Sequence, residues 1–586
     1  MKFSELAIYF DRIEKTSSRL EITRILAELF KKLTAEEIEK VVYLLQGRVA
    51  PAFEKIEFGM ADKTIIKSAI LALNIDKSYF QKELKQTGDL GITVENFKKQ
   101  IHSFDERDLA VKDVFDVFYK LATSSGNGSQ EAKISYLSRL IRELDSRSSR
   151  FIVRLPTGVI RMGFSDMTIL DAYSWMINGD KSLRNEIEKA YHVRPELGFI
   201  GKLLKEKGIA EVRSVTPKVF TPIIMMRAER LSSAKEILGQ IGTCFVEPKF
   251  DGFRLQIHYK KRTDTKISNL EKTVPEVKLF SRSLEDVTYM YPDIVEGVKK
   301  EVVANEVILE GEAIGYNGKT GEFLPFQETV QRKRKYNIDE MKKEIPLKLF
   351  CFELLFKDGK SYIGEPFRTR RKVLVESVKT THDVARDTIL IANQEEVSNE
   401  KRLEELFDEA VGKGLEGILA KKEDGVYKPG AREWNWIKYK KSYSSKINDT
   451  IDCLILGYDF GKGKRTDFGI GAFLVGIYDE NKDCYLTVAK IGTGLTDKEW
   501  RELQIKSQKS RVRIKPKNYS VNKAMECDVW VAPAIVVEIK ADEITKSPVH
   551  SAGLALRFPR LQRFREDKKP VDVTTIKEIF EMAKSQ

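Results

Sequence analysis

The chain has 586 residues, of which 42% are hydrophobic and 32% charged, and its formal net charge is +13. This length exceeds what one hydrophobic core supports, so we expect roughly two to four domains. The composition excludes a disordered chain, and no apolar run approaches the roughly 18 residues that span a bilayer. Met1–Glu5 leads into charged helical sequence instead of a signal peptide, which predicts a cytoplasmic location.

The basic balance favours an anionic partner, although a solvated lysine-rich surface explains the same charge equally well. The five cysteines are scattered and form no Cys-x-x-Cys pair. We therefore expect buried thiols rather than a zinc site or a disulfide framework. The net positive charge indicates a function only when a site that binds an anionic partner is also identified.

The first third of the chain has helical periodicity. Apolar residues recur at helical spacing from Ser17 to Leu33, and Thr34 with Glu37 predicts a capping box for the next helix. The turn-rich segment Ser124–Ser129 separates two further helical patterns. Two interpretations of it stay open: it simply joins two helices, or its N–H groups at a helix start contact a phosphate.

From Phe220 onward the pattern changes to short β-rich runs with helical segments between them. This predicts an α+β domain built on antiparallel sheets. Past Asn448 the strands are closely spaced and joined by glycine-rich turns, as in a small barrel; one of them is predicted over Val529–Ile539. The segment Val573–Ala583 is predicted to be a closing helix.

The segment Glu247–Arg254 contains Lys249-Phe250-Asp251-Gly252. Alone, this Lys-x-Asp-Gly pattern is also what an ordinary surface turn contains. Its weight comes from further segments in a fixed order downstream, which are Phe280–Ser283, Leu309–Ala313, Leu349–Leu354, Leu415–Ile418, Trp436–Lys440, Leu556–Arg560 and Arg565–Lys568. Together they resemble the ordered motifs of the covalent nucleotidyltransferases, the superfamily of DNA ligases, RNA ligases and mRNA capping enzymes.

This resemblance makes Lys249 the candidate nucleophile that attacks the α-phosphate of a nucleotide. A lysine attacks only when its amine is unprotonated, and at a pKa of about 10.4 roughly one lysine in a few thousand is neutral at pH 7. Neighbouring cations and partial burial lower the pKa of such an amine. We expect Arg254, Lys438 and Lys440 to be these neighbours and to stabilise charge on the phosphate. A solvated strand face is the alternative for the two later lysines.

The carboxylates of Glu312 and Glu416 suit Mg²⁺, with Mn²⁺ as an alternative, because Mg²⁺ uses one or two carboxylates together with substrate phosphates. Phe352 offers a flat face for an adenine ring, although a phenylalanine in an apolar strand is more often a core residue. The resemblance also places Glu312 near the ribose. It implies nucleotide contacts for three further residues, which are Glu247, Arg282 and Arg432.

The flanking segments are similar to those of ATP-dependent DNA ligases of the archaeal and eukaryotic replicative type. Asp449–Asp452 and Trp530–Pro533 match their OB domain, and Thr16–Leu20 and Phe151–Arg154 match their helical DNA-binding domain. No zinc-binding cysteine cluster of an NAD-dependent ligase is visible. The resemblance implies a multidomain protein with an all-α DNA-binding domain over 1–215, an α+β adenylation domain over 216–447 and an all-β OB-fold domain over 448–586.

The family implies that ATP leaves AMP on Lys249, and that this AMP activates the 5′-phosphate of a nick for attack by the 3′-hydroxyl in DNA replication, repair and recombination. The last motif, with Arg565, Asp567 and Lys568, is expected to act on ATP in this first step. The implied partner is nicked duplex DNA, bound by a monomer in the nucleoid.

Two rival functions stay open at this point, an RNA ligase or guanylyltransferase and a non-catalytic protein that encircles DNA. The segment Gln100–Phe104 lies where archaeal ligases carry a sliding-clamp motif. Its aromatic residues depart from the usual arrangement, and the edge of an amphipathic helix is the favoured interpretation of that segment.

Overall fold

The computed structural model describes residues 1–101, 106–158, 160, 162–261, 276–318, 320–334, 336–381, 383–440, 450–461 and 469–584. The chain divides into two compact units, the first formed by residues 1–230 and 234–438 and the second by residues 231–233 and 439–586. Across the described ranges, no helix combines the length and the apolar character that crossing a membrane requires.

The first unit begins with a helical region, as the periodicity predicts. Its α-helices are α1 Phe3–Glu14, α2 Arg19–Lys32, α3 Ala35–Leu45, α4 Asp62–Leu73, α5 Lys77–Thr87, α6 Leu90–Gln100, α7 Val111–Thr123, α8 Ser129–Glu143, α9 Ser146–Arg154, α10 Asp166–Asn178, α11 Arg184–Val193 and α12 Leu197–Arg213. Their apolar faces enclose one continuous core.

The predicted capping box of α3 is confirmed. The Thr34 hydroxyl accepts a hydrogen bond from Glu37 N over 3.3 Å, and Thr34 N donates to the Glu37 carboxylate over 3.0 Å. The segment Ser124–Ser129 connects α7 to α8. Its proposed phosphate contact stays a prediction.

The rest of the first unit is an α+β region. Its elements are β1 Arg227–Arg230, α13 Ala234–Ile241, β2 Cys244–Lys249, β3 Phe253–Lys260, β4 Val277–Ser281, α14 Pro292–Glu301, β5 Glu306–Gly315, α15 Phe326–Thr329, α16 Ile338–Glu344, β6 Leu347–Lys357, β7 Lys360–Ser361, α17 Phe367–Ser377, β8 Ile389–Ile391, β9 Glu395–Val397, α18 Glu400–Gly412, β10 Gly417–Lys422 and β11 Arg432–Lys440.

These strands form two sheets. One has the order β1-β11-β10-β2-β9, and the other has the order β4-β3-β5-β6-β7 with β8 on β6. Most pairs are antiparallel as predicted, but β1 with β11 and β6 with β8 are parallel. Phe352 packs within two apolar clusters that also include Trp436 of the first sheet and Phe350 of the second. The two sheets therefore meet around the strands that carry the predicted motifs.

The second unit is β-rich. Its elements are β12 Ile451–Asp459, β13 Ala472–Asp479, β14 Cys484–Ile491, α19 Asp497–Lys509, β15 Arg511–Val512, β16 Tyr519–Ser520, β17 Val529–Val531, β18 Val536–Lys540, β19 Glu543–Lys546, β20 Leu554–Arg557, β21 Arg560–Phe564 and α20 Ile576–Lys584. Eight of these strands form one curled sheet around an apolar core, as expected for an OB-type barrel.

One strand of this unit differs from its prediction. The run Val529–Ile539 forms two strands, β17 and β18, which pair with different parts of β12. Pro533 lies between them, and a proline has no N–H to donate to a continuous ladder. The apolar composition is therefore strand-like throughout, but the backbone breaks at this proline.

Candidate active site

Lys249 is the last residue of β2, where it pairs with Gly417 of β10. Glu416 N donates a hydrogen bond to Lys249 O over 3.0 Å, and the Glu416 carboxylate forms an ion pair with Lys249 Nζ. The next turn packs tightly, because a Cβ on Gly252 would lie 2.1 Å from Ala313 O. Glycine is thus required in the Lys-x-Asp-Gly pattern for a close approach to β5, which an ordinary surface turn does not need.

The acidic neighbours of Lys249 overturn the predicted direction of its pKa shift. Burial disfavours the ammonium form, but the charges of Glu416, Glu312 and Asp251 outweigh it, so the pKa of Lys249 is raised. We expected cations to lower it. In the protein without nucleotide, the carboxylates are the charges that dominate this amine.

Glu312 lies on β5, opposite Arg254 of β3. Burial, reinforced by the negative charges of Glu416 and Asp251, raises the pKa of Glu312 to about 7 against the opposing effects of Lys249 and Arg254. The carboxylates of Glu312 and Glu416 therefore repel each other beside Lys249. A divalent cation between them would relieve this repulsion, so this donor set fits Mg²⁺.

The two glutamates are the only protein ligands that we assign to such a cation. Among the described residues, no group of three or more His, Cys, Asp or Glu side chains is arranged to hold a metal ion. Mg²⁺ commonly keeps several waters and takes substrate phosphates as ligands, so two carboxylates suffice for it. A dedicated cage of protein ligands is not required.

Arg254 is engaged inside the protein. Its guanidinium donates to Met226 O over 2.7 Å and forms an ion pair with Glu310 over 2.5 Å. It also lies 5.3 Å from the ring centroid of Phe352 and 5.4 Å from that of Trp436. These contacts fix Arg254 beside Glu312 rather than leaving it mobile.

A buried charged cluster lies along β2 and β10. Lys421 Nζ is 2.7 Å from Glu247 Oε2, and Arg371 Nη1 is 3.5 Å from Glu247 Oε1. Lys421 also donates to Phe352 O over 2.7 Å and lies 4.9 Å from the Phe352 ring centroid. Burial raises the pKa of Glu247 against the effect of Lys421 and lowers the pKa of Lys421 against that of Glu247. Phe352 and Glu247 thus belong to one cluster.

The remaining predicted residues with positive charge lie on β11 and in the turn after β4. Arg282 is exposed in the turn after β4, which Ser281 N closes by donating to Glu285 O over 2.9 Å. Arg432 is exposed at the start of β11, opposite Arg227 of β1. Lys438 and Lys440 follow on β11 and are half-buried. By strand alternation they share the face that Trp436 occupies.

In the second unit, Arg565 and Lys568 of the last motif both contact Asp452, a residue for which the sequence predicts no role. Arg565 Nη1 lies 3.0 Å from Asp452 Oδ1, and Lys568 Nζ lies 2.6 Å from Asp452 Oδ2. Arg565 also pairs with Asp567 over 2.7 Å. All three predicted motif residues therefore belong to one charge network.

Sequence reasoning missed three residues at these sites, namely Glu310, Lys421 and Asp452. Each is a charged residue next to apolar residues of a strand, and all three are buried. That pattern is a usable signal, because a charge is seldom buried without a partner. It does not reveal which partner the charge meets.

Comparisons with known proteins agree along the whole chain. Residues 225–440 match the family described as ATP dependent DNA ligase domain, residues 2–174 match DNA ligase N terminus, and residues 466–568 match ATP dependent DNA ligase C terminal region. A probable DNA ligase from Dictyoglomus thermophilum is 46% identical over 594 residues, covering 100% of this chain and 98% of that protein.

A DNA ligase from Sulfolobus acidocaldarius is 38% identical over 608 residues, covering 100% of this chain and 98% of that protein. Among solved structures, Pmar-Lig_PreS3 aligns with a TM-score of 0.53 at 17% identity and covers 95% of this chain and 99% of that chain. At this identity the likeness to the solved structure concerns the fold alone.

A helical region, an α+β region with a lysine at the junction of its sheets, and a β-rich region together define a nucleotidyltransferase of the nucleic-acid-joining class. The chain belongs to the ATP-dependent DNA ligase family. It uses ATP and seals nicks in DNA by a nucleotidyltransferase mechanism.

Proposed function

We propose that Lys249 is the residue that carries AMP during nick sealing. The observation that carries this proposal is the position of Lys249 at the end of β2, in an ion pair with Glu416 and within the field of Glu312. A metal ion held by these two carboxylates would bind the phosphate that Lys249 attacks.

In the first step, the neutral Nζ of Lys249 attacks the α-phosphate of ATP. A nitrogen–phosphorus bond forms, the bond from the α-phosphorus to the bridging oxygen breaks, and pyrophosphate leaves with the electron pair while Nζ releases one proton to water. The ion pair with Glu416 must open first, because it holds Lys249 as an ammonium ion. Glu312 and Glu416 would hold Mg²⁺, or Mn²⁺ as an alternative, which when bound would neutralise the phosphate charge.

In the later steps AMP passes from Lys249 to the 5′-phosphate of the nick. The 3′-hydroxyl then attacks that phosphate, the phosphodiester bond forms and AMP leaves. We infer that the motif of Arg565, Asp567 and Lys568 acts on ATP only in the first step.

We propose that the other site residues contact the nucleotide. Phe352 and Glu247 share the buried cluster with Lys421, and this proximity supports a common role for the ring and the carboxylate beside the base. Arg254, anchored by Glu310, faces the ribose side near Glu312. Cationic phosphate contacts are assigned to Arg282, Arg432, Lys438 and Lys440.

We also infer a monomer that works on nicked duplex DNA in the nucleoid, with domains over 1–215, 216–447 and 448–586. The sliding-clamp hypothesis concerns Gln100–Phe104, of which residues 102–105 lie outside the described residues. A pull-down with a sliding clamp, comparing the protein with its Phe104→Ala variant, tests it. Equal recovery of both proteins would remove the hypothesis.

Incubation with labelled ATP followed by denaturing electrophoresis tests the proposed function. The expected result is a labelled protein that survives denaturation, is absent in Lys249→Ala and loses its label when nicked DNA is added. A label from GTP alone would favour a guanylyltransferase. The absence of an adduct with any nucleotide would contradict the proposal and leave a DNA-binding protein without turnover.

A further inference from the structure

Asp452 is the common partner of the two cations in the last motif. Its Oδ1 lies 3.0 Å from Arg565 Nη1, and its Oδ2 lies 2.6 Å from Lys568 Nζ. The side chain is buried at the start of β12, between strands of the curled sheet. One carboxylate thus brings an arginine and a lysine, three residues apart in sequence, to adjacent positions.

The backbone of Asp452 is held equally firmly. Asp452 N donates to the Thr574 hydroxyl over 3.0 Å, and Thr574 N donates to Asp452 O over 2.9 Å. Thr574 follows the motif by a few residues, so the chain on both sides of Lys568 is tied to the same point. Asp452 is therefore fixed by the fold and not by the cations it contacts.

The contacts of Arg565 leave its orientation little freedom. Its Nε and Nη2 donate to the Asp567 carboxylate over 2.9 and 2.7 Å, and its Nη1 donates to Asp452. Arg565 N also donates to Val536 O over 2.8 Å. Asp567 is exposed, whereas Asp452 and Glu538 are buried. Asp452 lies 3.0 Å from Arg565 Nη1 and Glu538 lies 3.6 Å from it, so Asp452 is the main buried support of this guanidinium.

We propose that Asp452 is a positioning residue for the transfer of AMP to Lys249. It holds Arg565 and Lys568 at one fixed spacing, so that they meet the departing pyrophosphate as a pair. Without this carboxylate the two cations lose their shared partner, so Lys568 is no longer tied to Arg565, which keeps its contacts with Asp567 and Glu538. This inference rests on the proposed function, in which the last motif acts in the first step alone.

The Asp452→Asn variant tests the proposal because asparagine keeps the size of the side chain and removes its charge. We expect the rate of Lys249 adenylylation at saturating ATP to fall about 10–100-fold, as when residues that orient metal ligands are lost. Release of ATP from the isolated adenylylated enzyme by pyrophosphate should fall by the same factor, because forward and reverse reactions share one transition state. Sealing of a nick that already carries AMP should stay within about twofold of the wild type.

Asp479→Asn is the matched control. Asp479 is a buried carboxylate of the same sheet, and its cationic partner is Lys482, outside the motif. All three rates should stay near those of the wild type in this variant. Should Asp452→Asn fail to fold, Asp452→Glu keeps the charge but moves it by one methylene group, and we expect it to slow adenylylation while leaving sealing unchanged.

Three results would overturn the proposal: adenylylation by Asp452→Asn at the wild-type rate or faster, an equal loss of sealing, or an equal loss in Asp479→Asn. A wild-type protein that forms no adduct would instead contradict the proposed function. The two failures are therefore distinguishable.

Discussion

At the scale of single residues, the charge beside Lys249 is the main departure from expectation. Lys249 is half-buried beside Glu416, and the negative charges of Glu416 and Glu312 favour its ammonium form, so its pKa is raised. The attacking amine must nevertheless be neutral. If Glu312 and Glu416 hold a metal ion as we propose, the metal and its phosphate ligands would engage these two carboxylates and release the amine.

Removal of Glu416 should make the lysine more reactive and the enzyme less active. In Glu416→Gln we expect Lys249 to be acylated faster than in the wild type by a small anhydride at neutral pH, because its pKa falls when the ion pair is lost. Adenylylation should nevertheless drop by about 10²-fold or more, since a proposed metal ligand is missing. Mass spectrometry of labelled peptides measures the first rate.

Glu306→Gln serves as the control for this experiment, because Glu306 pairs with Lys260 in the same unit. Acylation of Lys249 should be unchanged in this variant. Equal labelling of Lys249 in Glu416→Gln and in the wild type would show that Glu416 does not govern the amine.

Glu312 should make stability depend on pH. Its carboxyl has a pKa of about 7 in the folded protein against an ordinary value of 4.5. The folded state thus binds an extra proton between these values, and the free energy of unfolding falls as the pH rises from about 4.5 to 7. Relative to Glu312→Gln, the wild type should lose on the order of 3 kcal/mol across this window.

Urea unfolding of both proteins at about pH 5 and pH 8 measures this difference. Parallel pH dependences of the wild type and Glu312→Gln would contradict the raised pKa.

At the scale of elements, a buried ion pair joins strands β2 and β10, and β2 ends at the proposed nucleophile Lys249. Lys421 and Glu247 are both almost inaccessible to solvent and 2.7 Å apart. Loss of one partner from such a pair leaves an uncompensated charge in the interior. The pair therefore constrains the register between the strand that ends in Lys249 and the strand that follows Glu416.

We expect Lys421→Met to destabilise the first unit by about 3–5 kcal/mol. The double variant Lys421→Met/Glu247→Gln should be less destabilised than the sum of the two single variants, because neither charge is then left alone. Chemical denaturation of the four proteins gives the coupling. Lys360→Met, which removes a surface ion pair with Glu365, should cost less than about 1 kcal/mol.

Most of the elements could be predicted from the sequence because their signals are local. The Thr34 capping box, for example, corresponds to the observed start of α3. The parallel pairing of β1 with β11 could not be predicted, because the register between distant strands depends on tertiary packing that no local pattern encodes. Pro533 is visible in the sequence as a strand breaker, but the apolar residues on both sides of it favoured the prediction of one continuous strand.

The candidate site could be predicted only in part. Motif order identified Lys249, Glu312 and Glu416, and the structure brings these three together. The sign of the Lys249 pKa shift was wrong, because spacing along the chain indicates which charges are near but not which of them dominate. Asp452 was missed since its partners lie more than a hundred residues away in sequence.

At the scale of the whole molecule, the net charge of +13 acquires a specific meaning. A DNA ligase holds the phosphate backbone of a duplex irrespective of its sequence, so much of its affinity comes from counterion release. Lysine and arginine side chains supply that interaction. We infer that part of this excess positive charge serves DNA binding as well as solubility.

Affinity for a nicked duplex should therefore fall steeply with salt. For about six to ten phosphate contacts, we expect a loss of 10³–10⁵-fold between 50 and 200 mM salt. Fluorescence anisotropy with a labelled nicked duplex measures it, and two nicks of unrelated sequence should give the same slope. A flat response would contradict binding through the phosphate backbone.

Peptide mass spectrometry after incubation with ATP and Mg²⁺ shows most directly whether Lys249 carries AMP. We expect one AMP per protein, located on Lys249 by fragmentation of the peptide that spans Glu247–Arg254. Nicked DNA should remove this AMP and be converted to sealed product. An AMP group on any other residue, or sealing by Lys249→Ala at the wild-type rate, would contradict it.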